Sequence, residues 1–301
     1  MTGRTRATMR DVALASGVST ATVSFVLNET AGQTIPEATR EKVRRAAAEL
    51  GYRPHSIARA LREGASRIVV LEAGGLPPGT SLESFIEGLD TELSQIGFGL
   101  LVSYGSNHDV LSAISPRAVI DLPALYARPD RDIADGGWTD GLAAHTLTQV
   151  THLAERGHTR IAMAVPTRTD PFFDLMSGHL RAAAAVLGLP EPPALAVDGT
   201  AETAARLRSL LAVGVTAVAG LGDALAVGTL AALTDLGLSA PGDLAVIGFD
   251  DTPIGALWRP ALTTVHIDAR AYGRRTARLV LGRPDTGPAP APARVVQRAT
   301  T

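Results

Sequence analysis

Residues Thr8–Asn28 read TMRDVALASGVSTATVSFVLN, and this stretch decides the N-terminal fold. Thr8 is a hydroxyl side chain placed to cap a helix running through Ala15. Within that helix Val12, Ala13 and Leu14 are expected to face inward. Ser16-Gly17-Val18 makes a tight turn, with Gly17 supplying the left-handed residue that ends a helix. Ser19 caps a second helix, Thr20 to Leu27, whose Val23, Val26 and Leu27 form its buried side. Helix, short turn, helix is the arrangement that places its second helix in the DNA major groove.

Outward from this stretch, Pro36 is expected at the first position of a third helix that runs to Leu50 and stops at Gly51. Tyr52-Arg53-Pro54-His55-Ser56 breaks the helix, and Ile57–Glu63 is too short to be helical alone in water. It is expected to order on meeting DNA and a second copy of the chain. From Arg67 the pattern changes to alternating strand and helix signals. Strands are predicted over 67–72, 98–103, 117–122, 160–165, 194–197, 215–219 and 244–248. Helices are predicted over 82–96, 141–156, 174–187, 201–212 and 223–236. Gly97, Gly157, Gly188 and Gly237 stand where helix C-termini need them. Alternation of this kind makes parallel α/β sheets, and the length suits two lobes. The Pro/Ala stretch 284–293 reads as a connecting loop.

Charge divides in the same place. Residues 1–66 hold ten Arg/Lys against six Asp/Glu, whereas 67–301 hold 18 against 24. A basic head on an acidic body suits a nucleic-acid-binding module joined to a regulatory domain. The absence of cysteine excludes disulfides, thiolate catalysis and Cys-ligated zinc. No apolar run reaches membrane-spanning length and the N-terminus lacks a signal-peptide core, which predicts a cytoplasmic protein with no membrane partner.

The stretch Thr8–Asn28 resembles the lactose/galactose/purine repressor family (LacI-type transcriptional regulators). Further matches follow in order: Leu50-Gly51-Tyr52-Arg53-Pro54, Ala58 to Leu61, Gly157-His158-Thr159-Arg160-Ile161, Gly248-Phe249-Asp250-Asp251, Pro260-Ala261-Leu262-Thr263-Thr264-Val265 and Arg298-Ala299-Thr300. The resemblance spans essentially the whole chain. It implies an all-α helix-turn-helix headpiece plus an α/β core of two parallel-sheet lobes, periplasmic-binding-protein-like. The implied domains are a headpiece at 1–53, a hinge at 54–66 and a core at 67–301. Lobe 1 covers about 67–158 plus 263–283, and lobe 2 about 159–262 plus 284–301. The implied function is a repressor that binds palindromic operator DNA as a homodimer, with any small-molecule effector held between the lobes. No cofactor and no metal are implied.

The resemblance assigns DNA contacts to Ser19, Thr20, Ala21, Thr22, Ser24, Phe25, Asn28, His55, Ala58 and Leu61. Thr20, Ala21, Ser24 and Phe25 would reach base edges, while Thr22 and Asn28 suit phosphate contacts and capping. The family often carries Arg or a long polar residue where Phe25 stands. A Phe cannot form a guanine fork, so Phe25 either touches a thymine methyl or packs against the third helix. Leu61 matches the minor-groove wedge that kinks the operator centre, with small Ala58 one turn before it. His55 stands where the family commonly has Asn.

The effector half departs from the family. Gly79-Thr80-Ser81-Leu82 replaces the usual Asn-Pro-Phe-Phe ring platform, Leu175 replaces an Arg before Gly178, and Gly222 replaces the Asn before Asp223. Asp250 alone remains as an expected effector contact, and Asp223 reads as a helix N-cap. Asp109–Ser115 leaves room for at most two helical turns, and 132–138 replaces an apolar strand. A shortened, degenerate pocket is expected, stripped of most of its polar groups and most of its apolar floor, so a conventional sugar or purine is disfavoured.

An enzyme is the rival class. Gly220–Gly228 imitates a dinucleotide loop, but its third Gly is misplaced. No nucleophile elbow occurs. His145, His152, His158 and His179 lack metal-ligand spacing and read as surface or capping residues. A secreted solute-binding protein would share the core but not the headpiece.

Overall fold

In the computed structural model the described residues are 7–27, 34–52, 66–77, 79–105, 114–127, 137–168 and 170–301. The chain divides into two units: Met1–Arg67 with Ser112–Ser115, and Ile68–Leu111 with Pro116–Thr301.

The first unit contains α1 (Met9–Ser16), α2 (Thr20–Leu27) and α3 (Glu37–Glu49). Thr8 and Asp11 form a reciprocal cap: the Thr8 N–H donates to Asp11 Oδ2 at 2.8 Å, and the Asp11 N–H donates to Thr8 Oγ1 at 3.4 Å. Gly17 ends α1 at φ +67°. Ser19 Oγ then accepts from the Thr22 N–H at 3.1 Å, which starts α2. Val12, Val23 and Val43, one from each helix, are fully buried, with Ala13, Val26, Ala46 and Ala47 around them.

Two expectations need correction. Leu14 is 76% exposed. At 3.6 residues per turn it points nearly opposite Val12, so the two cannot share a core face. Pro36 precedes α3 as its N-cap, because its ψ of 142° is extended and only its carbonyl joins the helix.

The second unit begins with β1 (Ile68–Glu72), α4 (Thr80–Gln95), β2 (Gly99–Ser103), β3 (Ala118–Asp121) and α5 (Leu122–Ala127). These strands form a parallel sheet in the order β2-β1-β3. After α6 (Trp138–Glu155) come β4 (Ile161–Pro166), α7 (Pro171–Val186), β5 (Ala194–Val197), α8 (Ala201–Ala212), β6 (Ala217–Gly220), α9 (Asp223–Asp235) and β7 (Ala245–Ile247). Their parallel order is β5-β4-β6-β7. β6 and β7 are buried along their whole length, as parallel strands covered on both faces must be. Gly97, Gly157, Gly188 and Gly237 each stand just past a helix at positive φ.

The chain ends with α10 (Pro253–Leu257), β8 (Thr264–His266), α11 (Ala269–Val280) and β9 (Arg294–Val296), and β8 and β9 pair antiparallel. The alternation reading stops at 248 and misses these elements. The strands are only three residues long, and α11 buries small residues (Ala, Gly and Thr) with Tyr272 and Arg278, so few bulky aliphatic residues mark it. Residues 284–293 form no helix or strand. α11 lies against α4 at backbone contact: a Cβ on Gly88 would overlap the Arg270 carbonyl oxygen, and one on Gly273 would overlap that of Phe85.

Three separated motifs meet beside β7. The Thr300 carbonyl accepts from the Val246 N–H at 2.8 Å and its hydroxyl donates to the Val246 carbonyl at 2.6 Å. That same hydroxyl accepts from the Thr263 N–H at 2.9 Å. Arg298 donates to Asp251 Oδ1 at 2.6 Å and to the Leu262 carbonyl at 2.8 Å. Gly248–Asp251, Pro260–Val265 and Arg298–Thr300 are thus one knot of chain.

Candidate nucleic-acid interface and ligand cleft

On α2 the two faces are cleanly divided. Val23 and Val26 point into the core, while Ser19, Thr20 and Ala21 are exposed and Thr22, Ser24 and Phe25 are half-buried. The side chains packed on this core from outside are Met9, Val18, Leu27, Ile35 and Tyr52. Ser19 and Thr22 are engaged locally, with their hydroxyls 2.9 Å apart. Asn28, His55, Ala58 and Leu61 lie outside the described residues.

The second unit contains a cleft of about 270 Å³. Its walls come from the start of α4, from α5, from the N-termini of α6 and α7, from the β6–α9 turn and from the segment after β7. Asp250 stands in this wall. Its Oδ1 accepts from the Ser81 N–H at 2.7 Å, tying the segment after β7 to the first turn of α4. Burial pushes the Asp250 carboxyl up to about 6, opposed by hydrogen bonds from Ser81 and Thr80 and reinforced by the charge of Asp223. Asp250 and Asp251 hold φ of +107° and +51°, conformations that cost non-glycine residues on the order of 1–3 kcal/mol. The Asp250 N–H donates to the Val265 carbonyl at 2.9 Å and helps hold this turn.

Asp223 is not the N-cap of α9; Gly222 occupies that position. The Asp223 carboxylate turns away from the helix end and accepts from the Thr252 N–H at 2.6 Å, the Thr252 hydroxyl at 2.9 Å and the Thr264 hydroxyl at 2.5 Å. Burial raises its carboxyl, with these donors pulling the other way. This anion beside the β6–α9 turn also argues against phosphate binding at Gly220–Gly228.

The expectation of a lost apolar floor is overturned. Trp138, Tyr126, Phe172 and Phe173 all line the cleft. Tyr126 and Phe172 meet edge to face at 5.1 Å, and Phe172 and Phe173 at 5.2 Å. The signal was legible, because Pro171-Phe172-Phe173 repeats the missing platform's Pro-Phe-Phe after β4 instead of after β1. Leu175 is half-buried and packs on the core. Residues 106–113 and 128–136, the seat of the expected shortening and of most of the replaced strand, lie outside the described residues.

Two histidines also differ from expectation. His145 is 3% exposed and His152 is 8% exposed. Both lie on the inward side of α6, which packs against α7 and against strands β6 to β9, so neither is a surface residue. His145 Nε2 is buried without a hydrogen-bond partner among the described residues, and burial depresses its pKa to about 4. His152 is likewise held at about 4 by burial and by Arg156. The unfolded chain therefore binds protons below about 6.5 that the folded chain refuses until about 4, so stability falls as pH falls through this window. At pH 5 the His145 contribution is about 2 kcal/mol. Asp250, whose pKa is raised, opposes the trend between about 6 and 3.8. Urea denaturation at pH 7 and pH 5 should show a smaller acid loss for His145→Leu than for the unaltered chain; equal losses would refute the assignment.

Among the described residues no helix is long and apolar enough to cross a membrane, and no His/Cys/Asp/Glu cluster could hold a metal ion.

Comparison with known proteins gives a consistent result. Residues 8–55 match the model for bacterial regulatory proteins of the lacI family, and residues 150–301 match the periplasmic binding protein-like domain. The chain is 31% identical to the ribose operon repressor of Escherichia coli, covering 86% of this chain and 88% of that one. It is 28% identical to the HTH-type transcriptional repressor PurR of Vibrio atlanticus, covering 92% of each. Among solved structures, the lac repressor dimer bound to operator and the anti-inducer ONPF superposes with a TM-score of 0.74 at 26% identity, covering 98% of this chain and 99% of that one.

Proposed function

The chain belongs to the lacI family of bacterial regulatory proteins, and on that premise we propose that it is a cytoplasmic, sequence-specific transcriptional repressor without enzymatic activity. It binds a palindromic operator as a homodimer, the two-fold symmetry of the protein matching two half-sites. The observation that carries this reading is the capped α1–turn–α2 unit, which buries Val23 and Val26 and leaves Thr20 and Ala21 free to enter a major groove. The DNA-contacting set is Ser19, Thr20, Ala21, Thr22, Ser24, Phe25 and Asn28 from the headpiece, with His55, Ala58 and Leu61 from the hinge. The partition into headpiece 1–53, hinge 54–66 and core 67–301 belongs to the same proposal, as does an effector site in the cleft beside Asp250.

Selection from random and genomic DNA tests it. A single palindrome should emerge, with an affinity that falls steeply as salt rises, because Arg and Lys contacts to phosphate release counterions. Equal retention of all sequences at every salt concentration would overturn the reading. Phe25→Arg should keep the headpiece folded and shift one selected position in each half-site toward guanine, by roughly 1–3 kcal/mol of discrimination. Unfolding of the headpiece instead would show that Phe25 is a packing residue.

A further inference from the structure

Resting on the reading of the cleft as the effector site, we propose that its ligand is a compact, neutral aromatic molecule, not a polyhydroxylated sugar or a purine. Fourteen of the twenty described residues that line the cleft are apolar or aromatic, so most of any ligand's surface would meet carbon. Among the described lining residues, four with polar side chains, Ser81, Asp223, Asp250 and Thr252, share the wall.

These four are already bound to one another or to neighbouring chain. Asp250 accepts from the Ser81 N–H at 2.7 Å, with further hydrogen bonds from the Ser81 side chain and the Thr80 backbone. Thr252 gives both its N–H and its hydroxyl to Asp223, which also takes the Thr264 hydroxyl. The aromatic wall closes its own polar ends too, because the Trp138 indole N–H donates to the Tyr126 hydroxyl at 2.6 Å. A sugar would bring many hydroxyls to a wall whose described polar side chains are engaged. Each unpaired hydroxyl would then lose its water without replacement. An anion would face two carboxylates.

Shape and size point the same way. Tyr126, Phe172 and Phe173 stack in successive edge-to-face contacts and present ring surface to the cleft, the geometry that a further aromatic ring extends. A cavity of roughly 150 Å³ lined by aliphatic and aromatic side chains stays dry and takes benzene. The cleft's volume of about 270 Å³ therefore suits a fused two-ring molecule. The Ser81–Asp250 bond already ties α4 to the segment after β7 in the wall of this cleft, so a ligand seated there touches both elements, which is how its occupancy reaches the rest of the core.

Isothermal calorimetry on the full-length protein, with indole, ribose and hypoxanthine as probes, tests the proposal. Indole should bind with a dissociation constant below about 1 mM, raise the melting temperature, and change affinity for the selected operator by about fivefold or more. Ribose and hypoxanthine should do none of these. Ala224→Trp, at an exposed position on the rim, should weaken indole binding at least about tenfold, that is by 1.4 kcal/mol, at an unchanged melting temperature. Ile254→Trp, at another exposed lining position, replaces it if Ala224→Trp melts early. Binding of ribose or hypoxanthine in preference to indole, binding of no probe, or indole binding that survives both tryptophans would each overturn the proposal. Operator retention measured in parallel without probes reports separately on the DNA-binding reading.

Discussion

Replacing Gly273 by Ala should lower the stability of the core by about 3 kcal/mol net, which for a unit of this size is a fall of about 6–12 °C in melting temperature. The added methyl would overlap the Phe85 carbonyl oxygen and press on the Leu89 backbone nitrogen, 2.9 Å from where it would sit. Both neighbours are backbone atoms of α4, so no rotamer change relieves the clash and the two helices must move apart. Ala is the better helix former by about 1 kcal/mol, which is too little to reverse the sign. Separation would also disturb Phe85, whose ring lies 5.3 Å from that of Trp138 in the cleft wall. Gly178→Ala is the control. Gly178 lies in α7 with nothing within 4 Å of a built Cβ, so the same substitution should stabilise by up to about 1 kcal/mol. Thermal melts of the two variants should move in opposite directions, and a fall of equal size in both would dismiss the close-contact argument.

Asp223→Ala should cost about 3–5 kcal/mol. The carboxylate is buried and takes three donors, and its loss strands the Thr252 N–H and the Thr252 and Thr264 hydroxyls. Each stranded buried donor costs roughly 1–3 kcal/mol, partly offset because the desolvation of the anion is also removed. Asp223→Asn keeps one acceptor oxygen at unchanged volume and should lose about half as much. Denaturant midpoints rank the three proteins, and an Ala variant as stable as the Asn variant would mean that Asp223 does not brace the β6–α9 turn against β8.

What the sequence reveals here follows the range of the interactions. The headpiece was legible because its signals are local. Thr8 meets Asp11 three residues on, Gly17 closes the turn, and Ser19 caps the helix it precedes. Most helices and strands between 68 and 247 were legible because a glycine follows α4, α6, α7, α8 and α9 and short apolar runs mark the strands, whereas α5, six residues long with no glycine after it, was missed. Leu14 misled because an apolar residue beside two buried ones was assigned their face without counting the angle. The cleft was much less legible. Its wall joins Tyr126, Trp138 and Phe172, and its bond from Ser81 to Asp250 spans 169 positions of sequence. Nothing local records that the ring platform sits after β4, apart from the tripeptide Pro171-Phe172-Phe173 itself. Asp223 was read from its neighbours in sequence, whereas its partners lie 29 and 41 residues away.

The bonds from Thr300 to Val246 and Thr263 also bear on how the protein is made. Every strand of the second sheet has been synthesised once Ile247 is complete, yet the edge of β7 must wait for a segment roughly fifty residues later. At bacterial elongation speeds that interval is about 3–10 s. During it the nascent core carries an open flank beside Val246, and a second copy emerging from the same message could offer its own strand there. The headpiece, finished long before and held together by its own small core, faces no such delay.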